Sequence, residues 1–431
     1  MLLFSAWAPK ANSFASRYQV LGQLCLVAAI VYIQRSAISV PAKDIARDLS
    51  FDNFTLQMGR IQTAWYLGYA LFQLPSGWLA DRFGSRITLT AFCLLWSVMT
   101  GLAGFAADFW SLLLFWGLMG ATQAGVFPCA TKAIGQVFPD NERARASGLL
   151  ACGMAIGGAI APLITAWGLG SLNSPASQMG LESWRLLLGI YAIPGILWAI
   201  FFLLTTSASA LPKTERADTQ IPKLPWSRLF QSPSVVLLCA QQFLRAMAMV
   251  FFLTWFPVFL QETRGVTPLE SGVLTTYASL GGVVGTLLGG FASDWIFQAT
   301  GNRRLSRQGI AVIGMSLSAV LILGSYFAAA TSLSIALISL AAFCATFGGV
   351  SGYTVAIEFG GRHVATVFSA MNMCGNFGAA LFPITAAWLV EFSGNWNLLI
   401  FLFAGIMTVD AVCWALLNPR GTLMGDSDES R

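Results

Sequence analysis

Charge is what this chain has least of. Of its 431 residues only 10% are charged, while 56% are hydrophobic; soluble domains carry about a quarter charged residues. So little charge excludes an ordinary water-soluble globule and points to a polytopic membrane protein. Histidine is scarcer still, with one copy, His363, in a polar loop where solvent is its expected partner. No His/Ser/Asp or metal-ligand constellation exists, so no enzyme activity, metal or other cofactor is expected. The eight cysteines (Cys25, Cys93, Cys129, Cys152, Cys239, Cys344, Cys374 and Cys413) fall in apolar runs without disulfide or metal spacing. They read as small packing residues. The opening MLLFSAWAPKANSFASRYQV lacks a charged start followed by a long apolar core, so no cleaved signal peptide is expected. The net charge of +5 does not require nucleic acid as a partner. In membrane proteins the excess Lys and Arg gathers in cytoplasmic loops.

Apolar runs, by contrast, are abundant. A spanning helix needs roughly 20 apolar residues, and about twelve such runs can be drawn. Six lie near 18–40, 59–80, 87–107, 110–136, 146–169 and 184–206. Six more lie near 234–259, 270–293, 308–328, 331–356, 364–390 and 398–417. The expected fold is an all-α membrane protein of twelve transmembrane helices in two six-helix halves, residues 1–206 and 234–418. Between them, 207–233 is polar, basic and Pro-containing, the composition of a solvated linker. The tail 419–431, ending GDSDESR, reads as disordered.

Lys and Arg orient the chain. With the N-terminus inside, seventeen of the 24 fall in cytoplasmic segments and five outside (Lys43, Arg47, Arg60, Arg185 and Arg264). Both termini are therefore expected in the cytoplasm, and the bilayer is the surrounding phase. The remaining two, Arg35 and Arg245, lie inside apolar runs, 210 residues apart. GWLADRFGSR (Gly77 to Arg86) after the second run and GGFASDWIFQATGNRR (Gly289 to Arg304) after the eighth share Gly, three residues, Asp and then basic residues. Their aspartates, Asp81 and Asp294, are 213 residues apart. Parallel repeats of this kind build transporters whose substrate site lies near the midplane.

These motifs resemble the major facilitator superfamily. GWLADRFGSR is similar to its signature loop between helices 2 and 3. GMAIGGAIAPL (Gly153 to Leu163) is similar to its helix 5 motif of proton-linked antiporters, read here as close helix packing. GYALFQLPSGWLADRFGSR, AGVFPCATKAIGQVFPDNERARASG and MNMCGNFGAALFP resemble the anion:cation symporters within it, over nearly the whole chain. That group includes sugar-acid, glutamate, sialic acid and phosphate transporters. The resemblance implies alternating-access transport of a small organic anion with a coupling proton or cation, by a chain that works as a monomer in the inner membrane. The chain departs from the pattern in three places. Gln34 stands where the group often has an acid before the helix 1 arginine, and Trp116 and Gln123 stand where helix 4 often has arginine and glutamate. Coupling by the group's common carboxylates is thereby put in question.

Arginine stays protonated and presents a planar fork of donors that fits carboxylate or phosphate. A charge at the bilayer centre costs at least about 2.5–3.5 kcal/mol, so Arg35 and Arg245 should face a wet cavity or a partner. The functional reading is an anion site flanked by one arginine from each half. The structural alternatives are snorkelling of Arg35 to the outer end of its helix and bonding of Arg245 to helix-end carbonyls. Gln62, Tyr66, Tyr69 and Gln73 recur along one face of the second span. Asn372 and Asn376 are implied as substrate-facing by the resemblance. Gln123, Gln241, Tyr277 and Tyr353 are weaker candidates. For each of these, interhelical hydrogen bonding is the alternative.

Two acids remain as candidate proton sites, Glu358 at a cytoplasmic helix end and the deeper Asp410, for which a hydrogen-bonded structural role is the alternative. Asp81 and Asp294 read as cytoplasmic gate residues, Asp81 accepting from a helix N-terminus. Arg82 and Arg86 would pair with acids such as Glu142. Plain topogenic charge is the competing account. The remaining functional alternatives are an organophosphate or phosphate exchanger, which also uses paired arginines, and a non-transporting sensor.

Overall fold

The computed structural model of the chain describes residues 14–207, 211, 232–360 and 364–418, with the side chains at 14–16, 74, 81, 140, 141, 144, 357, 358 and 364–366 left undescribed. Most of the expected linker, the whole expected tail and His363 lie outside the described residues. Contacts divide the chain into two compact units, Met1–Thr219 with Pro268–Gly272, and Gln220–Thr267 with Val273–Arg431.

All regular structure among the described residues is helical. The first half of the chain forms α1 (Phe14–Arg35), α2 (Ala42–Asp48), α3 (Phe54–Phe83), α4 (Ser85–Ala103), α5 (Phe109–Gln123), α6 (Val126–Val137), α7 (Asp140–Gln178) and α8 (Ser183–Thr205). The second half forms α9 (Pro233–Thr254), α10 (Phe256–Thr263), α11 (Pro268–Thr300), α12 (Ile310–Phe327), α13 (Thr331–Gly349), α14 (Ser351–Gly360), α15 (Val364–Ser393) and α16 (Leu398–Leu416). A π-helical turn, Arg304–Gly309, leads into α12. Ten helical stretches are long and apolar enough to cross a membrane. The long helices outside that set are α1 and α3, which carry Arg35 and the Gln62, Tyr66, Tyr69 and Gln73 face. Their polar residues are what dilute them.

Local chemistry places the ends. Asn53 caps α3 by accepting from the Leu56 amide at 2.9 Å. Asp108 and Ser111 form a reciprocal capping box at the start of α5. Pro233 opens α9 in the first turn, where its missing N–H costs nothing. Gly84 alone separates α3 from α4, at φ 85°, a conformation open to glycine and strained for other residues. Gly301, at φ 63°, follows α11 at the matching place in the second repeat.

Four expected spans are interrupted. The first ends at Arg35, and Ser36 and Ser39 then turn back to bond the carbonyls of Tyr32 and Ser36 at 3.2 and 2.7 Å. The run 234–259 breaks at Trp255, two residues before Pro257, which has no N–H to continue α9. The run 110–136 breaks at Ala124–Gly125, where a Cβ on Gly125 would strike the Phe92 ring of α4. The run 331–356 breaks at Val350, beside Gly348 and Gly349. Broken spans of this kind are a hallmark of transporter binding sites.

Within the first unit α1 packs on α7, α3 on α5 and α4 on α8; within the second α9 packs on α15 and α16, and α12 on α13 and α16. Small residues let these backbones meet. A Cβ on Gly153 or Gly157 would come 2.7 Å from the Cys25 carbonyl or 2.6 Å from Ala29 Cα. The Gly-rich stretch of α7 therefore serves close packing, as expected. Gly68 and Gly120 play this part between α3 and α5, and Gly281, Gly285 and Gly289 between α11 and α13.

Candidate functional site

Arg35 is the last residue of α1, where a cation is favoured by the helix dipole. No further turn of α1 follows it, and residues 36–40 continue as a turn. Four rings surround its guanidinium carbon, with centroids at 4.3 Å (Trp65), 4.6 Å (Tyr66), 5.3 Å (Tyr32) and 5.8 Å (Tyr69). Trp65 and Tyr69 stack at 5.3 Å. The quadrupoles of these ring faces offset part of the cation's lost hydration. The Arg35 Nε has no hydrogen-bond partner, and the groups that act on Arg35 electrostatically are tyrosines, with no acid among them.

Beside this cage lie two buried amides. The α3/α5 contact sets Gly68 against Gly117 and Trp65 against Gly120. The same antiparallel register puts Gln62 opposite Gln123. They are 3% and 0% exposed, and neither amide has a partner at its oxygen or its nitrogen. The alternative of interhelical hydrogen bonding is not realised for either. Gln34, one residue before the arginine, is committed to structure instead, donating to the Tyr191 carbonyl at 2.5 Å. Trp116, at 1% exposure, fills the α5 position where a charge was the family's pattern. Gln73 is half-buried further along α3.

Arg245 sits in mid-α9. Its Nη2 donates to Gln242 Oε1 at 2.7 Å and to the Tyr353 hydroxyl at 3.0 Å, and its Nε is unpartnered. It bonds side chains, not the helix-end carbonyls of the alternative reading. Gly349 makes room for it: a Cβ there would lie 2.6 Å from Arg245 Cδ. Asn372 and Asn376 are half-buried on α15, the helix against α9. Gln241 donates to the Leu238 carbonyl at 2.8 Å, a local bond, and Tyr277 is exposed. Asp410 is fully buried on α16, and neither of its oxygens has a hydrogen-bond partner. This contradicts the hydrogen-bonded structural role considered for it.

The loop charges sort differently from expectation. Glu142 pairs with Arg17 at 3.4 Å, because the start of α7 packs beside the start of α1. Arg82 instead lies over the Trp78 and Phe83 rings, and Arg86 donates to the Leu203 carbonyl at 2.6 Å. Asp294 accepts from Arg307 at 3.0 Å, and Arg307 also donates to Ser293 Oγ at 2.5 Å. The side chains of Asp81 and Glu358 lie outside the described residues.

The sequence reading missed Trp65, Tyr32 and Gln242. Their spacing was available: Trp65 is four residues before Tyr69, and Tyr32 and Gln242 are three before their arginines, so each shares a helix face with a residue already chosen. Their ordinary residue types hid them.

The two-repeat helical architecture, with an unpaired arginine inside each half, is that of a membrane carrier. The Major Facilitator Superfamily profile matches residues 24–305, and the chain belongs to that superfamily of multi-pass membrane transporters. Among individual proteins, it is 28% identical to the probable sulfoacetate transporter SauU of Cupriavidus necator, covering 95% of both chains. It is 26% identical to the probable galactarate/D-glucarate transporter GudP of Bacillus subtilis, covering 96% of this chain and 94% of that one. It is 25% identical to the D-galactonate transporter of Escherichia coli O6:H1, over 93% and 95%. In fold it is similar to a bacterial homolog of the human lysosomal transporter Spinster in an inward-facing, occupied conformation. That match has a TM-score of 0.78 at 22% identity and covers 94% of this chain and 97% of that one. On these likenesses the chain is a secondary transporter and not an enzyme.

Proposed function

We propose that the chain moves a small organic anion, a sugar acid or similar carboxylate, and that Arg35 and Arg245 hold the anionic groups of the cargo. One observation carries this reading: each half keeps a permanent cation inside a span with no acid salt-bridged to it. A charge kept at that cost is accounted for by an anion that comes and goes. The orphaned amides of Gln62 and Gln123, with Tyr66, Tyr69, Tyr353, Asn372 and Asn376, would then meet the polar remainder of the cargo. The cargoes named for the relatives, sulfoacetate, galactarate, D-glucarate and D-galactonate, are small carboxylates. Asp81, Arg82, Arg86, Glu142 and Asp294 serve as gate contacts made and broken as access alternates. A proton or cation supplies the driving force, the monomer is the working unit, and both termini lie in the cytoplasm, the chain being in the inner membrane.

A thermal-shift panel on purified protein tests the reading, since a ligand at 100 times its Kd stabilises by about 2.7 kcal/mol. The panel holds sulfoacetate, D-glucarate, galactarate, D-galactonate, amino acids and phosphate esters. A response to a carboxylate that disappears in Arg35→Gln and Arg245→Gln is expected. A response to phosphate esters alone would replace this reading with the exchanger reading, which the same pair of arginines would also serve.

A further inference from the structure

We infer that Asp410 carries the coupling proton of this transporter and that Arg245 links its charge state to the binding of cargo. The inference rests on the reading of Arg245 as an anion-binding residue.

The geometry comes from one helix pair. In the contact of α9 with α16, the Phe403 ring lies 6.1 Å from Phe251 and 5.8 Å from Phe252. The two helices are the seventh and twelfth spans and run in opposite directions. Asp410 is seven residues after Phe403, and Arg245 is seven before Phe252. Each is two turns from the same contact, so Asp410 and Arg245 are level, and Arg245 acts electrostatically on Asp410.

Among the described residues, the surroundings leave Asp410 no other charged partner. Cys413 follows one turn on in α16. On α9 the other ionisable side chain is Cys239, and on α15 Cys374 and, at its far end, Glu391. The α12 helix carries no charge, and its one tyrosine, Tyr326, packs on Phe401 at the opposite end of α16. Arg304 and Arg307 lie at the end of α16 where Gln308 bonds the Trp414 and Ala415 carbonyls, and Arg307 is held by Asp294. A carboxylate buried among apolar groups with both oxygens unbonded is far costlier than the neutral acid. Arg245 is the group that can offset that cost.

The coupling follows from charge. With cargo on Arg245, its positive charge is already matched, and Asp410 keeps its proton. With Arg245 bare, its field supports the Asp410 carboxylate, and the proton leaves to water on the side that is open. Loaded, this pair with its anion and proton is neutral; empty, Arg245 and the carboxylate are again neutral together. Neither crossing then exposes an unmatched charge at this site. Cargo and proton each raise the other's affinity, by the reciprocity of linked equilibria. The first unit has no counterpart, since amides occupy positions 34 and 123.

Infrared spectroscopy reads the carboxyl without any cargo. On acidification, wild-type protein should gain a protonated-carboxyl C=O band that is missing from Asp410→Asn, a substitution of nearly the same shape. Proteoliposomes then read the coupling, with sulfoacetate as first probe and the strongest binder of the panel as second. One pH unit should drive about tenfold accumulation in wild type at one proton per anion with the membrane potential clamped at zero. Asp410→Asn should abolish that accumulation while exchanging labelled for unlabelled cargo at wild-type rates. A missing band, absence of gradient-driven accumulation in wild type, or accumulation that survives in Asp410→Asn would each overturn the inference. If no carboxylate binds, the cargo reading fails, and the infrared band still decides whether Asp410 holds a proton.

Discussion

Arg35 and Arg245 come from the two repeats of one fold, yet each is held by different chemistry. Arg35 ends its helix and lies among four aromatic rings, with its Nε unbonded. Arg245 sits in the middle of its helix, fixed by two side-chain hydrogen bonds and level with a buried acid. Ring faces stabilise a cation without consuming its donors, and the unbonded Nε leaves Arg35 with donor capacity for an incoming anion. Hydrogen bonds orient a guanidinium, so Arg245 has a set direction and a link to a group that can titrate. On the proposed reading the first half receives charge and the second responds to it.

Removing either charge should have the largest effect. Arg35→Gln and Arg245→Gln are each expected to abolish labelled uptake and to weaken cargo binding by about 100-fold or more, the loss of two charge-assisted bonds at roughly 1.5–3 kcal/mol each. Wild-type uptake by either variant would break the pairing of the two arginines.

Smaller changes should separate the two chemistries. Tyr353→Phe removes one oriented bond to Arg245 at a half-exposed site, and binding should fall by about tenfold. Trp65→Leu removes one ring from the Arg35 cage, worth about 0.5–2 kcal/mol, and binding should fall about two- to thirtyfold. If Tyr353→Phe leaves the affinity untouched, Arg245 is not oriented by that hydroxyl.

The gate contact is expected to matter less. Asp294 is two-thirds exposed while Arg307 is buried, and solvent screening keeps such a pair to less than about 1 kcal/mol of stability. If Asp294 belongs to the gate, Asp294→Asn should lower turnover by a fewfold with cargo affinity unchanged, because a gate bond is made in one conformer and broken in the other. Lost affinity with normal turnover would remove Asp294 from the gate.

The smallest effect lies at the α5 cap. Bonds from the Ser111 hydroxyl and amide hold the Asp108 carboxyl below the usual carboxylate range. Its folded value is depressed, so its contribution is present above the unfolded value and is lost as pH falls through the folded one. Asn caps about as well as Asp and does not titrate. On acidification the melting temperature of wild type should therefore drop slightly relative to Asp108→Asn. Parallel pH profiles would show that the cap's charge contributes nothing.

The sequence by itself determined the solvent, the all-helical build and the repeat. Sparse charge, runs of about twenty apolar residues and the Gly-to-Asp spacing before Asp81 and Asp294 are properties of composition and period. They follow from what a bilayer demands of any backbone. It also singled out Arg35 and Arg245, because a charge among apolar residues is costly wherever the helix turns. Tertiary structure decided what surrounds those charges. Whether α1 stops at Arg35 depends on a turn closed by Ser36 and Ser39. That Gln62 and Gln123 come to the same level of the α3/α5 contact depends on Gly68 and Gly120 setting its register. That Glu142 meets Arg17 and not Arg82 depends on α1 lying along α7. And Asp410 is level with Arg245, from a helix 165 residues further along the chain, because a cluster of phenylalanines sets how α9 and α16 pass each other. Helix register and rotation arise from packing between distant segments, and no local pattern encodes them.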